Sequence, residues 1–337
     1  MSHNVEFIVE RPIFSKISEV FLKDKRDKPF LFLTLRSLFI HLPIALYIYM
    51  TPTVSYWVIL PYMAMLIFFL GPHLLMLHNI CHRNPWKKEV KTAMNSIVSL
   101  LGLLYGLPML IYYHHHIKMH HYEENGPKDL SSTEKFKRNS FFYWMAYFAR
   151  FVLLNAIELP YYFIKQKRYD FALKSFIGWT SFYTIVYLSY LYNPKGTMII
   201  FFIPTAFCWF GLMGGNWAQH AFLDKDESDN PYKSSITVVD SLYNKRCFND
   251  GYHIGHHKYP GMHWTEMPNE FDKNRDEYYE NKAIIFRTLD YQVIWFLLML
   301  KQYKFLAKFY VPKNPGDQSI DEIADLIKQR TSFTIGG

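Results

Sequence analysis

Apolar residues fall along this chain in long blocks separated by strongly polar stretches. Residues 31–50 form one block, blemished by Arg36 and His41, and residues 54–77 form a second. Each approaches the ~20 predominantly apolar residues that a helix needs to cross hydrocarbon. The short uncharged link at 51–53 makes them a predicted helical hairpin. A second hairpin is predicted from 171–192 and 197–214, joined by the turn from Asn193 to Gly196. Residues 94–113 are also apolar, but Gly102, Gly106 and Pro108 interrupt them, which predicts a re-entrant or interfacial segment. The stretch 141–163 carries Arg150, Glu158 and Pro160 and is predicted as an interfacial helix. Beyond Gly215 the chain stays polar except at 293–300, an apolar run suited to a helix on the membrane or against a polar domain.

Four spans put both termini on one side. The two outer turns contain a single charged residue, Lys195, so the charged remainder is assigned to the cytosol. The expected fold is therefore an all-α integral membrane protein, with four transmembrane helices in two hairpins and a cytosolic helical cap. Residues 1–30 are expected as a cytosolic N-terminal segment, 31–311 as the membrane domain and 312–337 as a loosely held tail. Composition agrees: 50% of residues are hydrophobic and 19% aromatic. The net charge of +8 is scattered among acids, with no Lys/Arg block in a nucleic-acid motif, so a cytosolic membrane face accounts for it and no nucleic-acid partner is expected. No apolar core precedes residue 30, so no cleavable signal peptide is expected. Cys81, Cys208 and Cys247 are too few and too scattered for a disulfide framework or a thiolate metal site.

The chemistry lies in the histidines. Eleven of the fifteen fall into short boxes, and the first three boxes each follow an apolar block. His78 and His82 form HxxxH; His116, His120 and His121 form HxxxHH; Asn216 and His220 form NxxxH; His253, His256 and His257 form HxxHH. Imidazole nitrogen suits iron, copper and zinc. The donors are too many for one tetrahedral ion, which takes about four, and suit two. Helical spacing predicts that His78 and His82 share a face, that His116 and His120 share one with His121 swung toward a second ion, and that His253 and His256 share one with His257 offset. His73 makes a competing HxxxxH pair with His78, but it lies deeper in the apolar run, and 78/82 is preferred. His114 and His115 are spare, and His3 and His41 are given no role. With the re-entrant segment, all four boxes meet on one side of the membrane.

A metal-bound imidazole usually donates its other N–H to a carboxylate or carbonyl. Glu123, Glu124, Asp129, Asp224 and Asp250 lie near the boxes, and His115 and His263 are further candidates to orient ligands or face substrate. No Gly-rich phosphate loop, HExxH helix or GxSxG elbow is present, so hydrolase and nucleotide chemistries lose support.

The four boxes, split by two membrane hairpins, resemble the membrane-bound fatty acid desaturase superfamily. The stretches FNDGYHIGHHKYP from Phe248 and HHYEEN from His120 are similar to that family's wording, and the resemblance covers roughly residues 30–275. It implies a di-iron centre with His78, His82, His116, His120, His121, His220, His253, His256 and His257 as ligands and Asn216 acting through a water. HxxxH and HxxxHH stand closer to lipid-linked desaturases than to the acyl-CoA branch, which has HxxxxH and HxxHH, so a fatty acyl lipid or acyl-CoA is the implied substrate and O2 the co-substrate. No His-Pro-Gly-Gly heme-binding segment is fused. Electrons are thus expected from a separate donor, such as cytochrome b5 or ferredoxin with its reductase. The implied location is the endoplasmic reticulum in a eukaryote or the plasma membrane in a bacterium, with the boxes cytosolic.

An unactivated methylene offers no proton acidic enough for a side-chain base, so a redox metal must carry the difficult step. A hydroxylase or alkane-type monooxygenase of the same superfamily is the first rival. A zinc-binding receptor or metal transporter is the second, but transport places ionisable ligands within the spans, and here only His41 and His73 lie there. Intact boxes argue against a non-catalytic relative.

Overall fold

Among the described residues three helices are long and apolar enough to cross a membrane: Lys25–Met50, Tyr56–His82 and Pro194–Gln219. They belong to a computed structural model that describes residues 11–335; His3 and the first ten residues of the N-terminal segment lie outside it. The fourth expected span is a 24-residue helix, Tyr169–Tyr192, but it does not join the three. Asp170 and Lys174 open it, and hydroxyls recur along it at Ser175, Thr180, Ser181, Thr184 and Ser189. Only 28% of the apolar window of Tyr56–His82 is buried within the protein, so most of that surface faces outward. Phe39, Leu46, Trp57, Leu60, Phe176 and Leu191 are all exposed, a pattern that hydrocarbon accepts and water does not.

The chain divides into two units, residues 1–115 with 156–209, and residues 116–155 with 210–337. In the first unit, Ser55 caps the second helix by accepting from Trp57 N, and Pro61 and Pro72 lie within that helix. Arg83 ends it, pairing with buried Asp27 at 2.9 Å and with Asp24 at 3.1 Å, which fastens the foot of one hairpin helix to the head of the other. At the opposite end the two hairpin turns touch: Asn193 Nδ2 donates to the Tyr49 carbonyl at 2.6 Å while its Oδ1 accepts from Gly196 N at 2.9 Å.

The interrupted block between the hairpins is a helix, Lys91–Gly102, then a 3-10 turn, Leu103–Tyr105, and then Gly106 at φ 78°. Its carbonyl accepts from Trp209 Nε1 at 3.0 Å. A Cβ on Gly106 would stand 2.3 Å from Thr205 Cα, a backbone atom with nowhere to go. Gly106→Ala is expected to destabilise the protein by about 2 kcal/mol or more, through clash and left-handed strain together. Thermal unfolding in detergent checks this; an unchanged midpoint would contradict the close approach.

The second unit departs from the all-α expectation. Two β-branched runs, Ile236–Val239 (β1) and Ile284–Arg287 (β2), pair in parallel with Ile236 opposite Ile284. Parallel strands need a long crossover, and the last histidine box lies inside it. Around this ladder packs a core of Trp144, Trp217, Phe222, Phe286, Ile294 and Leu298. Residues 141–163 are seen as the helix Phe141–Lys165, and 293–300 as Tyr291–Met299, capped by Asp290. Within the expected C-terminal tail, residues 320–331 are firmly held: Ser319 and Glu322 form a capping box for the helix Ile320–Thr331, which buries Ile323, Ala324 and Ile327 in the same core.

Candidate metal centre

The histidine-rich segment begins with an α-turn, Ile111–His115, passes into a π-turn, His116–His120, and closes with His121–Glu123 before Glu124 turns left-handed at φ 49°. In a π-turn the bonded partner is five residues on. His116 therefore meets His121, their Nε2 atoms 3.2 Å apart, and does not share its partners with His120. His120 joins His220 and His257 instead, their ligand nitrogens all within 4.8 Å of one another. The α-helical expectation failed here because the local register is π.

The helix His253–Lys258 is regular, so His253 and His257, four apart, share a face with Nε2 atoms 3.1 Å apart. His256 is the member that swings away, to 2.9 Å from His121 Nε2. This reverses the expected 253/256 pairing. His253 Nε2 also lies 3.3 Å from His220 Nε2. Two adjoining groups result within this unit: His120, His220, His253 and His257, and beside them His116, His121 and His256. In the first unit, His78 and His82 lie together on their helix with ring centroids 5.1 Å apart. His73 turns from them and stacks on Tyr105, 3.9 Å between centroids.

The loop before the last box is set by Gly251. Val238 N donates to its carbonyl at 2.7 Å, and its N–H donates to Asn244 Oδ1 at 2.8 Å. A Cβ there would lie 2.6 Å from the Val238 carbonyl oxygen, so glycine alone lets the chain run this close to β1.

The opposite edges of two rings settle which nitrogen faces inward. His120 Nδ1 lies 2.6 Å from Asp129 Oδ2, and His220 Nδ1 lies 2.8 Å from the Ser234 carbonyl. Carboxylate and carbonyl oxygens accept, so each ring carries its hydrogen on Nδ1 and turns a bare Nε2 lone pair toward its neighbours. Burial, with His120 beside it, pushes His220 down to about 3, so this ring is neutral at physiological pH. Imidazoles converging through Nε2 are the donor set of a borderline transition-metal ion, iron included.

A family model for fatty acid desaturases matches residues 52–289, more than half of the chain and all four boxes. The chain belongs to the fatty acid desaturase family. No curated protein and no solved structure matches it. As a member it is a membrane-bound, oxygen-dependent oxidoreductase of a family that is typically di-iron.

Of the acids near the desaturase boxes, Asp129 contacts a box histidine directly. It is buried, and besides His120 it accepts from Asn125 N at 3.1 Å and from Ser131 N and Oγ, both at 2.7 Å. Asp250 takes the Tyr243 hydroxyl at 2.6 Å and Gln219 Nε2 at 3.2 Å. Asp224 pairs with Arg330 at 2.9 Å, toward the C-terminal helix. Glu124 is exposed at the helix end, and Glu123 and His115 are half-buried. His263 takes Thr265 N through Nδ1 and caps the turn after the last box. His114 packs on Phe163 and Phe171 with Ser175 Oγ 3.2 Å from its Nδ1. Asn216 gives its amide hydrogens to the Ser131 carbonyl at 3.0 Å and the Tyr147 hydroxyl at 2.8 Å. Two contributors escaped sequence reasoning. Ser234 acts through a backbone carbonyl, which has no sequence signature. Thr133 donates to the His220 carbonyl at 2.6 Å from a loop that only tertiary folding brings near.

Proposed function

We propose that the protein is a membrane fatty acyl-lipid desaturase. It converts adjacent methylenes of an acyl chain to a double bond, with O2, two electrons and two protons consumed and two waters formed. The convergence of histidine Nε2 atoms in two adjoining groups carries this reading. His120, His220, His253 and His257 would hold one iron and His116, His121 and His256 the second; the box pattern adds His78 and His82 as further ligands, and Asn216 would act through a water. Bound there, the irons supply activation of O2 and hydrogen-atom abstraction from a C–H bond that no side-chain base can ionise.

The chain's own residues do the rest. Uncharged nitrogen ligands keep the centre electrophilic. Asp129 and the Ser234 carbonyl keep the His120 and His220 hydrogens on Nδ1, so that neither ring has to change tautomer when metal arrives. The apolar helices would sheathe the acyl chain and exclude water. The boxes would face the cytosol, where a separate donor such as cytochrome b5 or ferredoxin delivers electrons.

Lipids from a host expressing the protein, compared by mass spectrometry with a vector control, test the reading. The expected product is two hydrogens lighter than its precursor. A gain of one oxygen would assign a hydroxylase, and unaltered lipids with zinc bound in place of iron would favour a receptor or transporter.

A further inference from the structure

A second buried polar cluster lies in the first hairpin, apart from the histidine boxes. Arg36, Ser37 and His41 come from the Lys25–Met50 helix, where its α-turns give way to a π-turn at Ser37–His41. Tyr62 and His73 come from Tyr56–His82, and Tyr105 from the 3-10 turn. None of the six is more than 6% exposed. Tyr105 is the hub. Its hydroxyl accepts from Arg36 Nη2 and lies 3.0 Å from both Ser37 Oγ and His41 Nδ1. His73 stacks on its ring, His41 stands edge-on to Tyr62 at 4.8 Å, and the guanidinium lies 3.8 Å above the Phe69 ring.

The hydrogen bonding of this cluster is incomplete. Arg36 Nε and Nη1, His41 Nε2, the Tyr62 hydroxyl and both ring nitrogens of His73 are buried without a hydrogen-bond partner. Among the described residues no carboxylate pairs with Arg36. A guanidinium does not give up its proton, and a buried charge with no counter-charge is among the most expensive groups a protein can hold. Arginine inside a membrane helix is retained where it has work to do, and π-turns interrupt helices at such places. The orphaned hydrogens lie mostly on Arg36 and Tyr62, so the missing partner is rich in acceptors. Water would satisfy the hydrogens and leave the charge. The helices around the cluster turn apolar side chains such as Phe39 and Ile40 outward, so the partner arrives on an alkyl chain.

We propose that this cluster is a binding site for an anionic oxygen group, carboxylate or phosphate, borne by a lipid. Arg36 supplies the counter-charge, and Tyr62, His41 and His73 supply hydrogen bonds.

Equilibrium binding to the purified full-length protein in neutral detergent tests the site, with oleate and dioleoyl phosphatidic acid as probes. Oleyl alcohol and dioleoylglycerol carry the same chains without the charge. Oleate or the phosphatidic acid is expected to bind saturably and at least tenfold more tightly than its neutral counterpart, as a hydrogen-bonded charge requires, and R36Q is expected to remove that preference. Tighter oleate makes the ligand a carboxylate; tighter phosphatidic acid makes it a phospholipid. R36K is expected to keep most of the affinity. Should R36Q fail to fold, Y62F carries the test, because its hydroxyl has no partner within the protein. Y62F is expected to bind the anion several-fold more weakly while the ligand-free protein unfolds at the same temperature or higher. The proposal is overturned if acid and alcohol bind alike. It is equally overturned if Y62F binds as wild type and unfolds earlier, for the hydroxyl is then structural.

Discussion

Alanine at His120, His256 or His257 is expected to reduce product formation to background and to lower bound iron, while helical content stays that of the wild type. Each variant deletes one Nε2 from a group of converging nitrogens, and the neighbours cannot move in to replace it. His120 and His257 lie within 4.8 Å of His220 in one group. His256 lies 2.9 Å from His121 in the other. On the proposed two-iron reading, loss at either group therefore disables the centre. None of the three anchors the core of the second unit, which is built from Trp144, Trp217, Phe286 and their neighbours, so the fold has no reason to fail. His114→Ala is the informative contrast. That ring is as buried as His120 but is packed among Phe163, Phe171 and Ser175, so iron content is expected to be unchanged even if stability falls. Asn216→Ala should reduce turnover less than the histidine variants, because a water can persist at its site. Iron analysis together with donor-dependent oxygen uptake reads all of these. Full product formation in the His120, His256 and His257 variants would refute the centre.

Much of this site is legible from spacing, because several sets of imidazole rings at helical intervals beside apolar blocks serve little purpose except to hold metal. The hairpins are legible for the same kind of reason: hydrocarbon demands long apolar runs, and such runs are conspicuous. What stays hidden is helical phase. Nothing in HHHIKMHH announces a π-turn, so the α-register pairs His116 with His120, although all three histidines of that box do join the converging groups. The choice among nearby acids is also hidden. Along the chain Glu123 and Glu124 lie nearer the box than Asp129 does. Asp129 differs because the chain reverses at Glu124 and Asn125, both left-handed, and Ser132 Oγ ties back to the Asn125 carbonyl at 2.6 Å. That closure is tertiary. The two-stranded ladder escapes notice because four-residue apolar strands look no different from buried helical turns.

Asp129→Asn is expected to weaken iron affinity roughly 10- to 100-fold while leaving the fold in place. The carboxylate serves four donors through its two oxygens: His120 Nδ1 and Asn125 N at Oδ2, Ser131 N and Oγ at Oδ1. An amide has one oxygen. Whichever way it is turned, its NH2 faces donors, at a penalty of about 1–3 kcal/mol for the buried groups left unpaired. If the NH2 faces His120, the relaxed solution is to move that ring's hydrogen from Nδ1 to Nε2, which blocks the lone pair that would bind metal. If it faces Ser131, the His120 contact survives, but a neutral acceptor makes the imidazole a weaker donor to the ion. Both routes weaken binding without deleting a ligand. Excess iron is therefore expected to restore part of the activity of Asp129→Asn and none of that of His120→Ala. Asp224→Asn, which disturbs only the pair with Arg330, should retain wild-type iron content. An Asp129→Asn protein that holds iron as tightly as wild type would mean that this aspartate merely shapes the loop, and that the tautomer of His120 is fixed by something else.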